Sequence, residues 1–578
     1  MLRGALLLLL LPIIAIAGTT SEDGDAVMIQ LQQGSLKGVI REAGPTRKFY
    51  SFRGIPYAQP PVGQLRFKEA VLAEAWSGVR ESFEPPQCPQ FGIEMILEGK
   101  EMVVRGEEDC LYLHVYTPRV QTSTLPVMVF IHGGAYVFGN ADNEGGTPLP
   151  LLTKDIVLVS MQYRLGTLGF LSTEDEVLPG NLGLKDQTLA LQWVQQNIRE
   201  FGGDPSKVTI FGESAGAGAV HFQLLTPSAA GLFQRGILQS GNALCPWSLR
   251  DDHRQMAGSV ADLLECNGVK DDSGDLDSQA FLKCVQEAPV DKLVMYQTPG
   301  QIWNYFPFYM VPRVDGEYIP EHPARLLREG HNNKVDIMSG ICAHEGATMA
   351  IGAAATPEGE RLASNFSTLG PISVGVDQEE EGTYLAHRIF YHYLGDGRGH
   401  ISQHNVDIAV KMFGNMMFDV PHDIVSQLHA RDSTFGKNTF IYQLDYRGNF
   451  TFMDTVNSTM GRDWVPHGND LQYLFEGVLM SPPIGQPYDQ VLSDIMVQLW
   501  TNFAATGNPT PDLSLGFKWS AASPSNLHYL SLTPSPTMRP DSRSQIRDFL
   551  LDLPTKQNKL LFPEKFETDK TTFGYCHA

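Results

Sequence analysis

Short, mostly apolar runs rich in β-branched residues punctuate the chain at 127–131, 156–159, 208–211, 236–239, 335–338 and 439–442. Continuous runs of this kind, with little polar alternation, predict strands buried on both faces. A different rhythm fills 186–201, where Leu189, Trp193, Val194, Ile198 and Phe201 recur at helical spacing before Gly202-Gly203. The same rhythm returns at 488–505 through Val491, Leu492, Ile495, Leu499 and Phe503, ending at Gly507. Both read as amphipathic helices with glycine stops. Strand–helix–strand alternation predicts an α/β fold, a large, mostly parallel central sheet covered by helices on both faces. Residues 246–334 and 347–437 carry few strand signals and read as helical insertions above that sheet. No internal repeat or low-complexity linker divides the chain. One domain is therefore expected over 18–562, followed by a polar tail at 563–578.

The first seventeen residues do not fit that domain. Arg3 precedes an apolar run that closes on Ala15-Ile16-Ala17, the arrangement of a cleaved secretory signal. The run is shorter than the roughly 20 residues a spanning helix needs. Export to an oxidising compartment is the expectation, and seven cysteines fit it. Cys88–Cys110 and Cys266–Cys284 would close short loops, although spacing alone does not fix connectivity. The odd total leaves an unpaired thiol. Cys576, near the end of the tail, could join two copies into a homodimer or remain pendant; Cys342 has no assigned role. The sequons at Asn365, Asn449 and Asn457 predict glycosylated surface. A net charge of −22 argues against nucleic acid and anionic membrane surfaces as partners. The tail has no apolar segment for a lipid anchor.

Chemistry enters at Gly212-Glu213-Ser214-Ala215-Gly216. The G-x-S-x-G pattern alone is weak, but here it follows a strand-like run and opens the helix-like stretch 215–225. Such a turn exposes a serine hydroxyl at the strand tip, and its glycines remove Cβ atoms where chain segments approach closely. A serine hydroxyl needs a base and an orienting acid. In folds of this kind the order is serine, acid, histidine. Glu345 leaves a predicted strand end and is the candidate acid. His467 lies in a polar loop farther on and is the candidate base, in competition with other histidines. His344, His221 and His132 have local explanations. His400 and His404 have i,i+4 spacing without further metal ligands. Ile131-His132-Gly133-Gly134 leaves another predicted strand. Its backbone N–H groups, with that of Ala215, are candidate oxyanion donors.

Beyond these motifs, the chain resembles the type-B carboxylesterase/cholinesterase family of the α/β-hydrolase fold, as a general carboxylesterase or a juvenile-hormone-esterase-like member. The matching stretches are 52–58, Glu108-Asp109-Cys110, His132-Gly133-Gly134-Ala135, 181–187, 197–205, 212–217 and Gln239-Ser240-Gly241. The resemblance implies Ser214, Glu345 and His467 as the catalytic triad, with Gly133, Gly134 and Ala215 as the oxyanion hole. It also implies disulfides Cys88–Cys110 and Cys266–Cys284, ion pairs Arg66–Glu108 and Arg164–Asp186, and an unpaired Cys245. Trp247, Phe306 and Phe308 would wall an acyl pocket or serve as core aromatics. Residues 89–109 hold no tryptophan where cholinesterases bind choline, which disfavours a quaternary ammonium substrate. Glu213 stands where juvenile hormone esterases often carry glutamine. The expected activity is cofactor- and metal-free hydrolysis of small carboxylic esters. A non-catalytic adhesion module, a slow stoichiometric scavenger and a lipase are the alternatives.

Overall fold

A computed structural model describes residues 26–45, 47–92, 103–121, 124–142, 146–295, 302–303, 306–455, 459–478 and 481–567. The expected signal at 1–17, Asn457, Cys576 and part of the tryptophan-free loop lie outside these residues.

The predicted runs form the strands Leu125–Ile131, Val157–Met161, Gly203–Glu213, Arg235–Gln239, Asp336–Cys342 and Thr439–Leu444. With Tyr529–Leu532 they make the parallel centre of a 13-stranded sheet. The burial of Leu125–Ile131 explains its unbroken apolar run. Val127, Val129 and Ile131 face one core, while Met128 and Phe130 face another on the opposite side of the sheet. Each such side chain buried is worth about 1.5–3 kcal/mol.

Helix Leu182–Asn197 continues as a 3-10 turn to Phe201 and stops at Gly202, whose φ is 84°. Pro487–Thr506 ends at Gly507 in the same left-handed conformation. Glycine takes this conformation without a Cβ penalty. The two strand-poor regions are helical, running from His253–Leu263 to Pro323–Glu329 and from Ala347–Ala355 to Val420–Ala430.

Sequence periodicity missed the sheet's antiparallel margin. Ala26–Gln30, Ser35–Glu42, Lys48–Pro56 and Tyr112–Thr117 pair antiparallel along one side, and Thr537–Arg539 closes the other. A short helix, Pro563–Glu567, lies at the start of the predicted polar tail.

Two disulfides, Cys88–Cys110 and Cys266–Cys284, are formed. Cys245 and Cys342 are free and buried. Arg66 pairs with Glu108 at 2.5 Å, and Arg164 with fully buried Asp186 at 2.7 Å. Asn365 and Asn449 are exposed. Among the described residues no helix is long and apolar enough to cross a membrane.

Candidate active site

The strand Gly203–Glu213 turns into the helix Ala215–Leu225 through one residue, Ser214. Its φ of 57° and ψ of −125° are strained for a residue with a side chain, a cost of about 1–3 kcal/mol. The glycines serve a packing need. A Cβ on Gly212 or Gly216 would collide with the Ile131 carbonyl at the tip of the neighbouring strand. The two strand ends thus interlock, and the 132–134 loop runs against the turn. A Cβ on Gly133 would sit 3.2 Å from that of Ser214. Ala215 is the first helical residue, so its N–H has no intrahelical acceptor.

Glu345 follows the end of strand Asp336–Cys342 with its side chain fully buried. One carboxylate oxygen accepts from Ser240 Oγ at 2.5 Å and from the Cys342 N–H at 2.7 Å. The other lies 2.6 Å from Nδ1 of His467, across 122 residues of sequence. The opposite nitrogen, Nε2, stands 3.2 Å from Glu213 Oε1, an oxygen with no aligned hydrogen bond. Burial disfavours charge on the His467 ring, but Glu213, Glu345 and Asp470 outweigh it and raise the imidazole to about 9. Burial also pushes Glu213 up, to about 8. Charge on either member of this pair favours charge on the other.

The remaining histidines separate from this cluster. His132 is buried, stacked on Tyr163 at 4.4 Å, and pushed down to about 4 by burial. His344 accepts from the Val465 N–H. His400 is exposed beside Asp396. One group of possible metal ligands, Glu84, His114 and Asp142, occurs among the described residues. Arg53 bridges its two carboxylates, and His114 Nδ1 accepts from the Gly54 N–H. A neutral His114 therefore carries its proton on Nε2, the nitrogen facing the cluster, and a cation already fills the space. This is an ion-paired clamp.

A sequence model of the carboxylesterase family matches residues 25–550. The chain belongs to that family. Venom carboxylesterase-6 of Apis mellifera is 29% identical over 563 residues, 93% of this chain and 96% of that one. Juvenile hormone esterase of Tribolium castaneum is 33% identical, covering 85% of each chain. Carboxylesterase 1E of Mus musculus is also 33% identical, over 87% of this chain and 90% of its own. The protein is a carboxylic ester hydrolase of the α/β-hydrolase fold.

In this carboxylesterase the acyl-pocket candidates lie in two places, and Trp247 is beside the nucleophile turn, where a Cβ on Gly241 would meet its ring at 3.2 Å. Trp247 is buried, donates from Nε1 to the Met417 carbonyl and packs on Phe418 at 5.6 Å. Phe306 and Phe308 stack on one another at 4.5 Å and pack against the larger core. The ring found against His467 is Phe418, at 4.6 Å. It sits in a π-helical turn, Asn415–Asp419, a local irregularity that apolar periodicity does not announce.

Two further neighbours carry no sequence signal of their own. Ser240, within Gln239-Ser240-Gly241, donates to Glu345. Asp470 is fully buried and accepts from Gln239 Nε2 at 2.9 Å and Tyr442 OH at 2.8 Å. This braces the chain just after His467.

Proposed function

We propose that this carboxylesterase is an exported serine esterase that cleaves esters of apolar acids and alcohols through an acyl-enzyme on Ser214. The observation that carries the reading is the 2.6 Å Glu345–His467 contact, with the opposite nitrogen of that ring 3.2 Å from Glu213, the residue that precedes the strained Ser214 turn. His467 takes the Ser214 proton as Oγ adds to the ester carbonyl. Glu345 keeps the remaining imidazole proton on Nδ1 and stabilises the imidazolium. The N–H groups of Gly133, Gly134 and Ala215 hold the oxyanion of the tetrahedral intermediate. The intermediate expels the alcohol, which takes its proton from His467. Water then repeats the sequence on the acyl-enzyme, releasing the acid and restoring Ser214.

Export is supported by the N-terminal pattern and the two disulfides, and glycosylation by the exposed sequons at Asn365 and Asn449. The named substrates of similar relatives diverge. A juvenile hormone esterase and an acylcarnitine hydrolase match at 33% and 32% identity, which favours assignment at the level of the ester class.

The test is covalent. A phosphonofluoridate should label the native enzyme once, on the peptide containing Ser214, with loss of esterase activity in proportion. Labelling on another residue would refute the assignment.

Glu213 gives a second check through pH. Its carboxylate raises His467, and general-base catalysis needs the neutral ring. Glu213→Gln removes that charge, lowers the His467 pKa and extends activity toward acid. The acid limb of kcat/KM should move down by roughly one unit, the scale of one adjacent charge. A limb that stays in place would separate Glu213 from the base.

A further inference from the structure

Behind the nucleophile turn, two buried imidazoles face each other. His221 lies two turns along the helix Ala215–Leu225 from Ser214, and His429 belongs to the helix Val420–Ala430. Their Nε2 atoms are 3.0 Å apart. The proton order in this pair follows from a neighbour that can only donate. The backbone N–H of Ala243 points at His221 Nδ1, at 3.0 Å. That nitrogen must be bare, so a neutral His221 carries its proton on Nε2 and donates it to His429. His429 Nε2 is then the acceptor, and its own proton sits on Nδ1, 3.7 Å from Asp432 Oδ2. Lys334 Nζ at 2.7 Å and Asn332 Nδ2 at 2.9 Å hold the Asp432 carboxylate. Burial pushes His221 well below its ordinary pKa, so the ring stays neutral.

The far end of this relay holds a segment that touches both the candidate nucleophile and its acid. The Gln239 carbonyl accepts from the Ser214 N–H at 2.8 Å. Ser240 Oγ donates to Glu345. Gly241 lies so close to the Ser214 carbonyl that a Cβ there would collide with it. Ala243 is where His221 fastens the segment.

We propose that His221 and His429 are positioning residues for ester hydrolysis: the ordered pair of imidazoles, with Asp432 nearby, holds residues 239–243 in the register that aligns Ser214 with Glu345. The proposal rests on the assignment of Ser214 and Glu345 made above. It deepens that assignment by explaining why two histidines outside the site sit in its support, each with a defined tautomer.

The test begins with the wild-type enzyme labelled with 15N-histidine. His221 should show a bare, pyridine-like Nδ1 and a protonated, pyrrole-like Nε2, and His429 the reverse. A protonated His221 Nδ1 would overturn the proposal whatever the activity. In His429→Leu the acceptor is gone. The Ala243 N–H still keeps His221 Nδ1 bare, so the tautomer should hold with its Nε2 proton unbonded, and kcat should fall about tenfold with KM within about twofold, the scale of a small misalignment of reacting groups. In His429→Gln the side-chain carbonyl can accept from His221, so kcat should return toward wild type with the His221 tautomer unchanged. An unchanged kcat in His429→Leu, or no recovery in His429→Gln relative to it, would reject the role. If His429→Leu does not fold, the wild-type spectrum and a comparison of His429→Gln with wild type still decide. Phosphonofluoridate labelling of the wild type separates failure of this proposal from failure of the Ser214 assignment.

Discussion

Ser214→Ala should lower kcat/KM on a simple aryl ester by roughly 10⁴- to 10⁶-fold, the range seen when the nucleophile of a serine hydrolase is removed. The fold should be unaffected. Alanine keeps the Cβ, so the strain at φ 57° is neither added nor relieved. The Ser214 N–H still reaches the Gln239 carbonyl, and its carbonyl still accepts from the Gly218 N–H. Thermal unfolding of the variant beside wild type checks that half, and steady-state kinetics checks the other. A drop below about 100-fold with an intact fold would mean that the acyl group passes elsewhere, since even single oxyanion-hole donors reach that figure.

The parts of this protein legible in its sequence are those whose physical demand is local. The central strands announce themselves because both of their faces are covered, as the alternation of Val127, Val129 and Ile131 with Met128 and Phe130 between two cores demonstrates. The antiparallel margin does not. Ser35–Glu42 buries Leu36 and Gly38 and turns Val39 and both terminal charged residues outward, so its pattern blurs into that of a loop. The nucleophile turn is legible for a steric reason: no side chain fits at Gly212 or Gly216 beside the Ile131 carbonyl. The partners of the turn are another matter. Ser240 reaches Glu345 across 105 residues, and His221 reaches His429 across 208. Serine and histidine have ordinary local uses, and no spacing rule links such distant positions. Phe418 is hidden differently. It reaches His467 from a π-helical turn that shifts the face of its helix. For Glu345 and His467, chain order supplied the candidates, family resemblance selected His467 among its competitors, and the structure supplies their contact.

Glu345→Gln tests the proton order inside the site more sharply than removal of the side chain would. In the wild type, Oε1 accepts two hydrogen bonds, from Ser240 Oγ and the Cys342 N–H, while Oε2 faces His467 Nδ1. A glutamine in this fully buried position has one acceptor oxygen. The Cys342 N–H can only donate, so the amide oxygen must take the Oε1 place. The amide nitrogen then faces His467 Nδ1 and donates to it. The imidazole proton is driven to Nε2, and a ring protonated there has no lone pair with which to take a proton from Ser214. The expected loss in kcat is about 10⁴-fold, as in other triads where the carboxylate becomes an amide, with KM nearly unchanged because the substrate does not touch residue 345. A 15N-histidine spectrum of the variant should show the reversed His467 tautomer. A loss of less than tenfold, or a tautomer that stays as in wild type, would mean that the Glu345 contact supports the loop without ordering the proton, and the base would then have to be oriented from Glu213 on its other side.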